Sequence, residues 1–464
     1  MRENKNDFSK GNVYTLILSL AVPMIFAQLV QVMYNVVDRI YIGHLPGTST
    51  DALTGLGLTF PIVTLILAFT NLFGMGGAPL CSIERGRKDD KKAELIIGNT
   101  FTMLIFTALI LMAVGYTFMK PMFYLFGASD STYPYAAGYL KIYLIGTPFA
   151  MIAAGMNGFI NSQGFAGIGM FTTLIGAVLN IILDPIFIFL FHLNVQGAAI
   201  ATVISQVASC IWVMRFLCGK KTLLHLHKKN MRINFKILKD IVSVGMAGFI
   251  MAGSTGLVQI TYNSTLKAAG GDIYVGIMTV LNSLRDVILL PSQGLSNAAQ
   301  PVIGYNYGAK KYSRITKAIV FISISSIIYM GFCQLILTLF PETFIRIFNS
   351  DAELLRLGKS ATRIYYFGLA FLSLQSAGQS VFVGMGLSKH AVFFSLLRKV
   401  IIVIPLTFIL PHVLGLGATG VFVAEPISNI LGGLACFVTM LFTVRHVFRE
   451  EKDVKKLPES LDNE

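Results

Sequence analysis

Long apolar runs, separated by short polar loops, fill almost the whole chain. They recur at about 13–42, 51–80, 95–118, 135–161, 168–192, 196–218, 240–268, 273–302, 315–340, 357–384, 390–412 and 417–446. Roughly 20 apolar residues cross a bilayer as a helix, so each run predicts one crossing, and the longer ones allow for tilt. The runs are continuous and do not alternate with period two, which points to helices and away from a β-barrel. The expected fold is an all-α integral membrane protein with twelve transmembrane helices. Composition agrees, with 54% hydrophobic and 13% charged residues, against about 25% charged in a soluble domain.

The net charge of +14 would suit nucleic acid, but its placement suits a membrane. Basic residues collect in alternate loops: Arg85, Arg87, Lys88, Lys91 and Lys92; then Lys220, Lys221, Lys228, Lys229, Arg232, Lys236 and Lys239; then Lys310, Lys311 and Arg314. The intervening loops 43–50, 192–196 and 411–418 carry no Lys or Arg. This is the positive-inside pattern, with both termini cytoplasmic. Loop 341–358, with Arg346 and Arg356, fits it least well. The basic loops are read as anchors on anionic lipid, and no nucleic-acid partner is expected. The first 12 residues are polar and the first run exceeds a signal-peptide core, so it is read as retained.

The polar stretch near 215–239 splits the runs into two sets of six. At a shift of about 222 residues, Gly86 falls on Gly308, Lys88 on Lys310, Tyr143 on Tyr365 and Gly164 on Gly386. Identity is low, but the order of landmarks is shared. The expected organisation is a cytoplasmic N-terminus 1–12, an N-lobe 13–218, a cytoplasmic linker 219–239, a C-lobe 240–446 and a cytoplasmic tail 447–464. Six crossings per half start both halves from the same side, which makes a parallel repeat. Two such bundles can rock to expose a cleft to each side in turn.

Asp184 interrupts the run Val178-Leu-Asn-Ile-Ile-Leu-Asp-Pro-Ile-Phe-Ile-Phe-Leu-Phe191. An Asp at the centre of a membrane helix costs roughly 2.5–3.5 kcal/mol. Asn180 is four residues earlier and shares its helix face. Pro185 removes the backbone bond to the Ile181 carbonyl and loosens the helix there. Topology places Asp38, Asn180, Asp184 and Thr202 at one depth. Their hard oxygen atoms suit Na⁺ or a shared proton. A structural hydrogen bond between helices would use the same groups. Asp38 has a further bland reading as the partner of neighbouring Arg39.

Across the shift, Asn180 and Asp184 fall on Ile402 and Leu406, and Asp38 falls near Tyr262. The second half has polar residues of its own, Arg285 and Asp286 in the eighth run and Glu425 before Pro426 in the twelfth. Adjacent Arg285 and Asp286 point apart on a helix, so each needs a separate partner. Gln31, Tyr34, Asn157 and Asn161 are uncharged candidates for a cavity wall or a helix contact. Glu84 reads as a residue at the cytoplasmic end of its helix.

Neither a Walker A motif nor a CxxC spacing occurs. The seven histidines sit in loops or at run ends without metal spacing. No catalytic constellation, disulfide framework or bound cofactor is expected.

Several segments together resemble the MATE family, the multidrug and toxic compound extrusion transporters, in its bacterial DinF-related branch. They are Tyr34-Asn-Val-Val-Asp-Arg-Ile-Tyr-Ile-Gly43, Leu179-Asn-Ile-Ile-Leu-Asp-Pro185, Gly197-Ala-Ala-Ile-Ala-Thr-Val-Ile-Ser-Gln206 and Pro301-Val-Ile-Gly-Tyr-Asn-Tyr-Gly-Ala-Lys310. The resemblance covers about residues 10–447. It implies a V-shaped pair of six-helix lobes in the bacterial plasma membrane, exporting cationic amphipathic compounds in exchange for Na⁺ or H⁺. It also implies that Asp38, Asn180, Asp184 and Thr202 form the cation site, as Na⁺ ligands if Na⁺ is the coupling ion. Gln31, Tyr34 and Asn157 would line the N-lobe cavity, with Asn161, Arg285 and Asp286 as further substrate candidates. Some members place an acid in the seventh span, whereas 240–266 holds only Asp240, at one end. A monomer is expected. The alternatives are a lipid-linked precursor flippase of the same fold, which would need several deep cationic groups where Arg285 alone is expected to lie deep, and an integral membrane enzyme or channel.

Overall fold

The computed structural model describes residues 7–43, 49–348 and 351–454. Helices α1 (Val13–Gly43), α2 (Ser49–Gly86), α3 (Asp90–Leu125), α4 (Tyr133–Ser162), α5 (Ala166–Pro185) and α6 (Asn194–Leu217) make the first half. Helices α7 (Phe235–Gly270), α8 (Asp272–Gly308), α9 (Tyr312–Leu339), α10 (Pro341–Arg346), α11 (Ala352–Tyr365), α12 (Leu369–Gly384), α13 (Ser388–Leu396), α14 (Ile404–His412) and α15 (Gly417–Val454) make the second. No strand occurs among the described residues. Among the described residues, eleven helical stretches are long and apolar enough to cross a membrane. The tenth expected span is built from α11 and α12, which meet at Gly368 with φ +89. That is the left-handed region glycine enters without cost. The eleventh span is α13 and α14 joined by π-helical Leu397–Val403.

Helices overrun the apolar runs because polar residues cap them. Asp89 accepts from the Lys92 N–H at 2.9 Å to start α3. Asn234 accepts from the N–H groups of Lys236 and Ile237 to start α7. Such caps satisfy amides that have no partner within the helix.

The repeat is visible in the backbone. Lys88 and Lys310 both have positive φ, 65 and 57, as do Gly164 and Gly386, 89 and 71. Where α2 crosses α8, the two symmetry-related glycines face each other's chain. An added methyl on Gly86 would strike the Tyr305 carbonyl oxygen, and one on Gly308 the Ile83 carbonyl oxygen.

The halves touch at the end that carries the basic loops and diverge toward the other. On α7, Gly245 packs on the Leu72 backbone of α2, and Phe249 meets Phe69 with ring centroids 5.1 Å apart. Gly256 lies about three turns beyond Gly245 on the same face, and open space surrounds it. On α2, Gly57 lies about five turns from Met75 on the same face, and it too meets nothing. The result is a V with its apex among the basic loops.

The apex departs from a simple division into two sets of six helices. Val13, Ile17, Leu20 and Ala21 of α1 are buried in one core with Leu295, Ile319 and Ile322 of α8 and α9. Residue Phe8, fully buried, sits against Tyr305 of α8 at 5.6 Å and beneath the Arg85 guanidinium of α2 at 5.5 Å. Arg85 also donates to the Ser162 carbonyl oxygen of α4. The carbonyl of Phe8 accepts from Asn306 Nδ2 and Arg314, each at 3.0 Å. The segment before α1 thus bridges both halves at the closed end.

Candidate functional site

Three of the four expected cation ligands meet in the first half. Asn180, Asp184 and Thr202 are 1%, 0% and 3% exposed. Asn180 Nδ2 donates to Asp184 Oδ1 at 3.2 Å, along one turn of α5. It also donates to Thr202 Oγ1 of α6 at 3.3 Å. Its own Oδ1 is buried without a hydrogen-bond partner among the described residues. A buried amide oxygen left so costs about 1–3 kcal/mol, and a small cation beside it would remove that cost. The side chain of Asp38 lies outside the described residues. Its position is one turn before Tyr41, whose ring packs edge-on against Phe189 at 6.2 Å.

Pro185 does more than free one carbonyl. Directly after it, Ile186–Leu190 form a π-helical turn. Such turns are rare and concentrate at functional sites. Helices α5 and the first five turns of α6 contain no Lys or Arg.

A cavity of about 360 Å³ opens between α1, α2, α4, α5 and α8. Gln31, Asn157 and Asn161 line it, so the structure brings these three expected residues together. Tyr34 is not among its described walls. Neither are Arg285 and Asp286, which belong to the other half. Gln28, Asn71, Asn297 and Gln300, not singled out from sequence, also line it. Every described lining side chain is uncharged. Asn157 Oδ1 accepts from Thr172 at 3.1 Å, while Asn161 Oδ1 and Gln28 Oε1 are buried without hydrogen-bond partners among the described residues. Gly169 of α5 permits this geometry, since a methyl there would overlap Asn161 Oδ1.

The second half holds a polar cluster that residue matching across the repeat did not find. Glu425 of α15 is 3% exposed. Its Oε1 accepts from Arg398 at 3.0 Å and Arg285 at 3.4 Å, and its Oε2 from the Tyr262 hydroxyl at 2.5 Å. Arg398 also donates to Asn429 Oδ1 at 2.9 Å. Arg285 donates to the Tyr365 hydroxyl at 2.8 Å, which donates in turn to Asn282 Oδ1 at 3.0 Å. The spans involved are the seventh, eleventh and twelfth, the repeat counterparts of the first, fifth and sixth, with the eighth and, through Tyr365, the tenth added. Ile402 and Leu406 are apolar, but Arg398 sits one turn before Ile402. The sequence signal was the pair Arg398-Lys399 inside an apolar run, as costly there as Asp184.

Arg285 and Asp286 do find separate surroundings: Arg285 is tied into this cluster, and Asp286 is exposed. Lys399 is half-buried, with Nζ 3.4 Å from Thr255 Oγ1. The expectation of a single deep cationic group, Arg285, is thereby corrected to three. Two of them are spent on Glu425. Glu84 sits at the basic-loop end and pairs with Arg87 at 3.0 Å and Lys92 at 2.8 Å.

A family model described as MatE matches residues 23–186 and 250–409. The multidrug export protein MepA of Staphylococcus haemolyticus (strain JCSC1435) is 27% identical over 434 residues, 91% of this chain and 93% of that protein. MepA of Staphylococcus saprophyticus subsp. saprophyticus is 28% identical over 443 residues, covering 93% and 94%. Among solved structures, a MOP superfamily transporter from Pyrococcus furiosus Vc1 (DSM3638) superposes with a TM-score of 0.88 at 23% identity. It covers 95% of this chain and 97% of its own.

Proposed function

The chain belongs to the MatE family of multidrug and toxic compound extrusion transporters, and on that premise we propose that it exports cationic, amphipathic drugs in exchange for Na⁺ or H⁺ by alternating access. The observation that carries this is the buried Asn180–Asp184–Thr202 set, whose Asn180 and Asp184 share helix α5 with one wall of a polar cavity that borders the lobe junction. Thr173 on the cavity wall and Asp184 are 11 residues apart on α5, about 16 Å along the helix. A cation held at Asp184 acts on the cavity by shifting α5, and the π-turn beyond Pro185 supplies the yielding point.

The positive-inside rule assigns the basic-loop apex to the cytoplasm. The V then opens outward, the state from which substrate leaves and the cation enters. Coupling requires that the cation bind the two lobe orientations unequally; equal affinity would shift nothing. The membrane is read as the bacterial plasma membrane, since the MepA proteins are bacterial.

The C-lobe cluster supports placing the ion exchange in the N-lobe. Two guanidinium groups already neutralise Glu425. An exchangeable cation there would compete with charges fixed to the chain. The same pairing weakens the flippase alternative, because Lys399 is the one deep cation of this cluster not engaged with Glu425.

The test is Asp184→Asn in proteoliposomes with an imposed Na⁺ or H⁺ gradient. Loss of gradient-driven drug efflux, with drug binding retained, is expected. Wild-type efflux across pH and Na⁺ concentration would refute coupling at this site. Drug-independent movement of a lipid-linked pyrophosphate would favour the flippase.

A further inference from the structure

The linker between the lobes, at the basic-loop end, contains Thr222-Leu-Leu-His-Leu-His227. Leu224 and Leu226 are buried in the N-lobe core. Side chains on extended backbone alternate between faces, so His225 and His227 share the outer one. His227 has extended backbone, φ −98 and ψ 139. The two imidazoles stack with centroids 5.7 Å apart and planes at 22°.

Glu94, from the second turn of α3, reaches the same face. Its Oε1 accepts the His225 backbone N–H at 3.0 Å and lies 3.8 Å from His227 Nε2. Its Oε2 accepts from Asn230 Nδ2 at 3.5 Å. One potential ligand atom from each of Glu94, His225 and His227 lies within 4.8 Å of the others. The linker is fixed independently. Gln163 Oε1 accepts from the Thr222 hydroxyl and from the N–H groups of Leu223 and Leu224, all at 2.8–2.9 Å. The histidines have no metal spacing in sequence terms. The fold supplies the third group from about 130 residues upstream.

We propose that Glu94, His225 and His227 bind a divalent transition-metal ion of the Zn²⁺, Ni²⁺ or Cu²⁺ type. Imidazole nitrogens select these ions over Mg²⁺ and Ca²⁺, which take oxygen ligands. Ligand atoms around a tetrahedral Zn²⁺ stand about 3.4 Å apart, so closing from 3.8–4.8 Å takes rotamer adjustment and no backbone movement. Three protein ligands leave a position for water. The hydrogen bonds to Glu94 are of the outer-shell kind that orients a metal ligand. An ion held there fastens the lobe linker to α3 on the N-lobe.

The full-length protein, purified without a polyhistidine tag and stripped with chelator, is titrated with ZnCl₂ against a competing metal indicator. One saturable equivalent is expected, undisturbed by excess Mg²⁺ or Ca²⁺. Losing an outer-shell partner costs about 10–100-fold in affinity, so His225→Ala/His227→Ala and Glu94→Gln should each lose at least that. Unchanged drug export and elution profile in metal-free buffer would show the variants folded. No saturable equivalent, equal affinity in the variants, or displacement by Ca²⁺ would overturn the proposal and leave Glu94 and the two histidines as an ordinary loop contact.

Discussion

Replacing Glu425 with glutamine should destabilise the C-lobe severely while leaving the ion coupling proposed for the N-lobe in place. In the structure one carboxylate serves two guanidinium groups, all three nearly inaccessible, at 4%, 12% and 10% side-chain exposure for Glu425, Arg285 and Arg398. Glu425→Gln leaves two buried positive charges without their shared counter-ion. Removing one partner of a buried pair costs about 3–5 kcal/mol, which is more than about 100-fold in the folding equilibrium. Arg398→Met is milder, because Glu425 keeps Arg285 at 3.4 Å and Tyr262 at 2.5 Å. Its cost is that of a charge-assisted hydrogen bond, about 1.5–3 kcal/mol. The double variant should fall short of the sum by about 1–3 kcal/mol, since the two residues touch. Cys436 is fully buried in the C-lobe core. Kept as the sole cysteine, it reports C-lobe opening by maleimide labelling against denaturant. The reasoning fails if Glu425→Gln labels like wild type while its drug efflux loses all dependence on the ion gradient. Glu425 would then be a coupling acid.

Phe8→Ala should loosen the closed apex, with about 3 kcal/mol as the magnitude for a truncated, fully buried Phe; spin labels across the basic-loop ends of the two lobes should show a longer distance, and an unchanged distribution would mean that the segment does not hold the lobes. Gly169→Ala should reduce drug efflux by pressing on Asn161 Oδ1, whereas Gly167→Ala, which faces open space, should not; equal activity in both would remove Gly169 from the cavity argument. For Asp7, burial raises the carboxyl, but hydrogen bonds from Ser9, Lys10 and Tyr305 outweigh that and bring it from 3.8 down to about 2. A depressed carboxyl contributes stability above its unfolded value, and the contribution is lost as pH falls from about 4 toward 2. Hydrogen-exchange protection of residues 7–12, corrected for intrinsic rate, should therefore be flat between pH 5 and 8, and a step in that range would contradict it.

The amino-acid sequence alone carried the helical class, the number of crossings, the parallel repeat and the Asn180–Asp184 pair. These follow from local rules: apolar length, charge in loops, and residues four apart on one helix. It also flagged Asp184 by cost alone, since few sequences keep an acid in such a run. The same criterion, applied to Arg398 and Lys399, would have exposed the C-lobe cluster. What remained hidden was which charges neutralise which. Arg285, Arg398 and Glu425 lie on three separate spans, and only their packing shows that Glu425 is already compensated. Likewise the sequence could nominate Gln31, Asn157, Asn161, Tyr34, Arg285 and Asp286 together, because depth is all that hydropathy gives. Rotation about each helix axis, set by packing between helices, put the first three on one cavity and the last two elsewhere. The direction in which the V opens was likewise a tertiary matter. It depends on where Gly245, Gly86 and Gly308 let backbones touch, and a glycine reads the same in sequence whether it meets a neighbouring helix or open space.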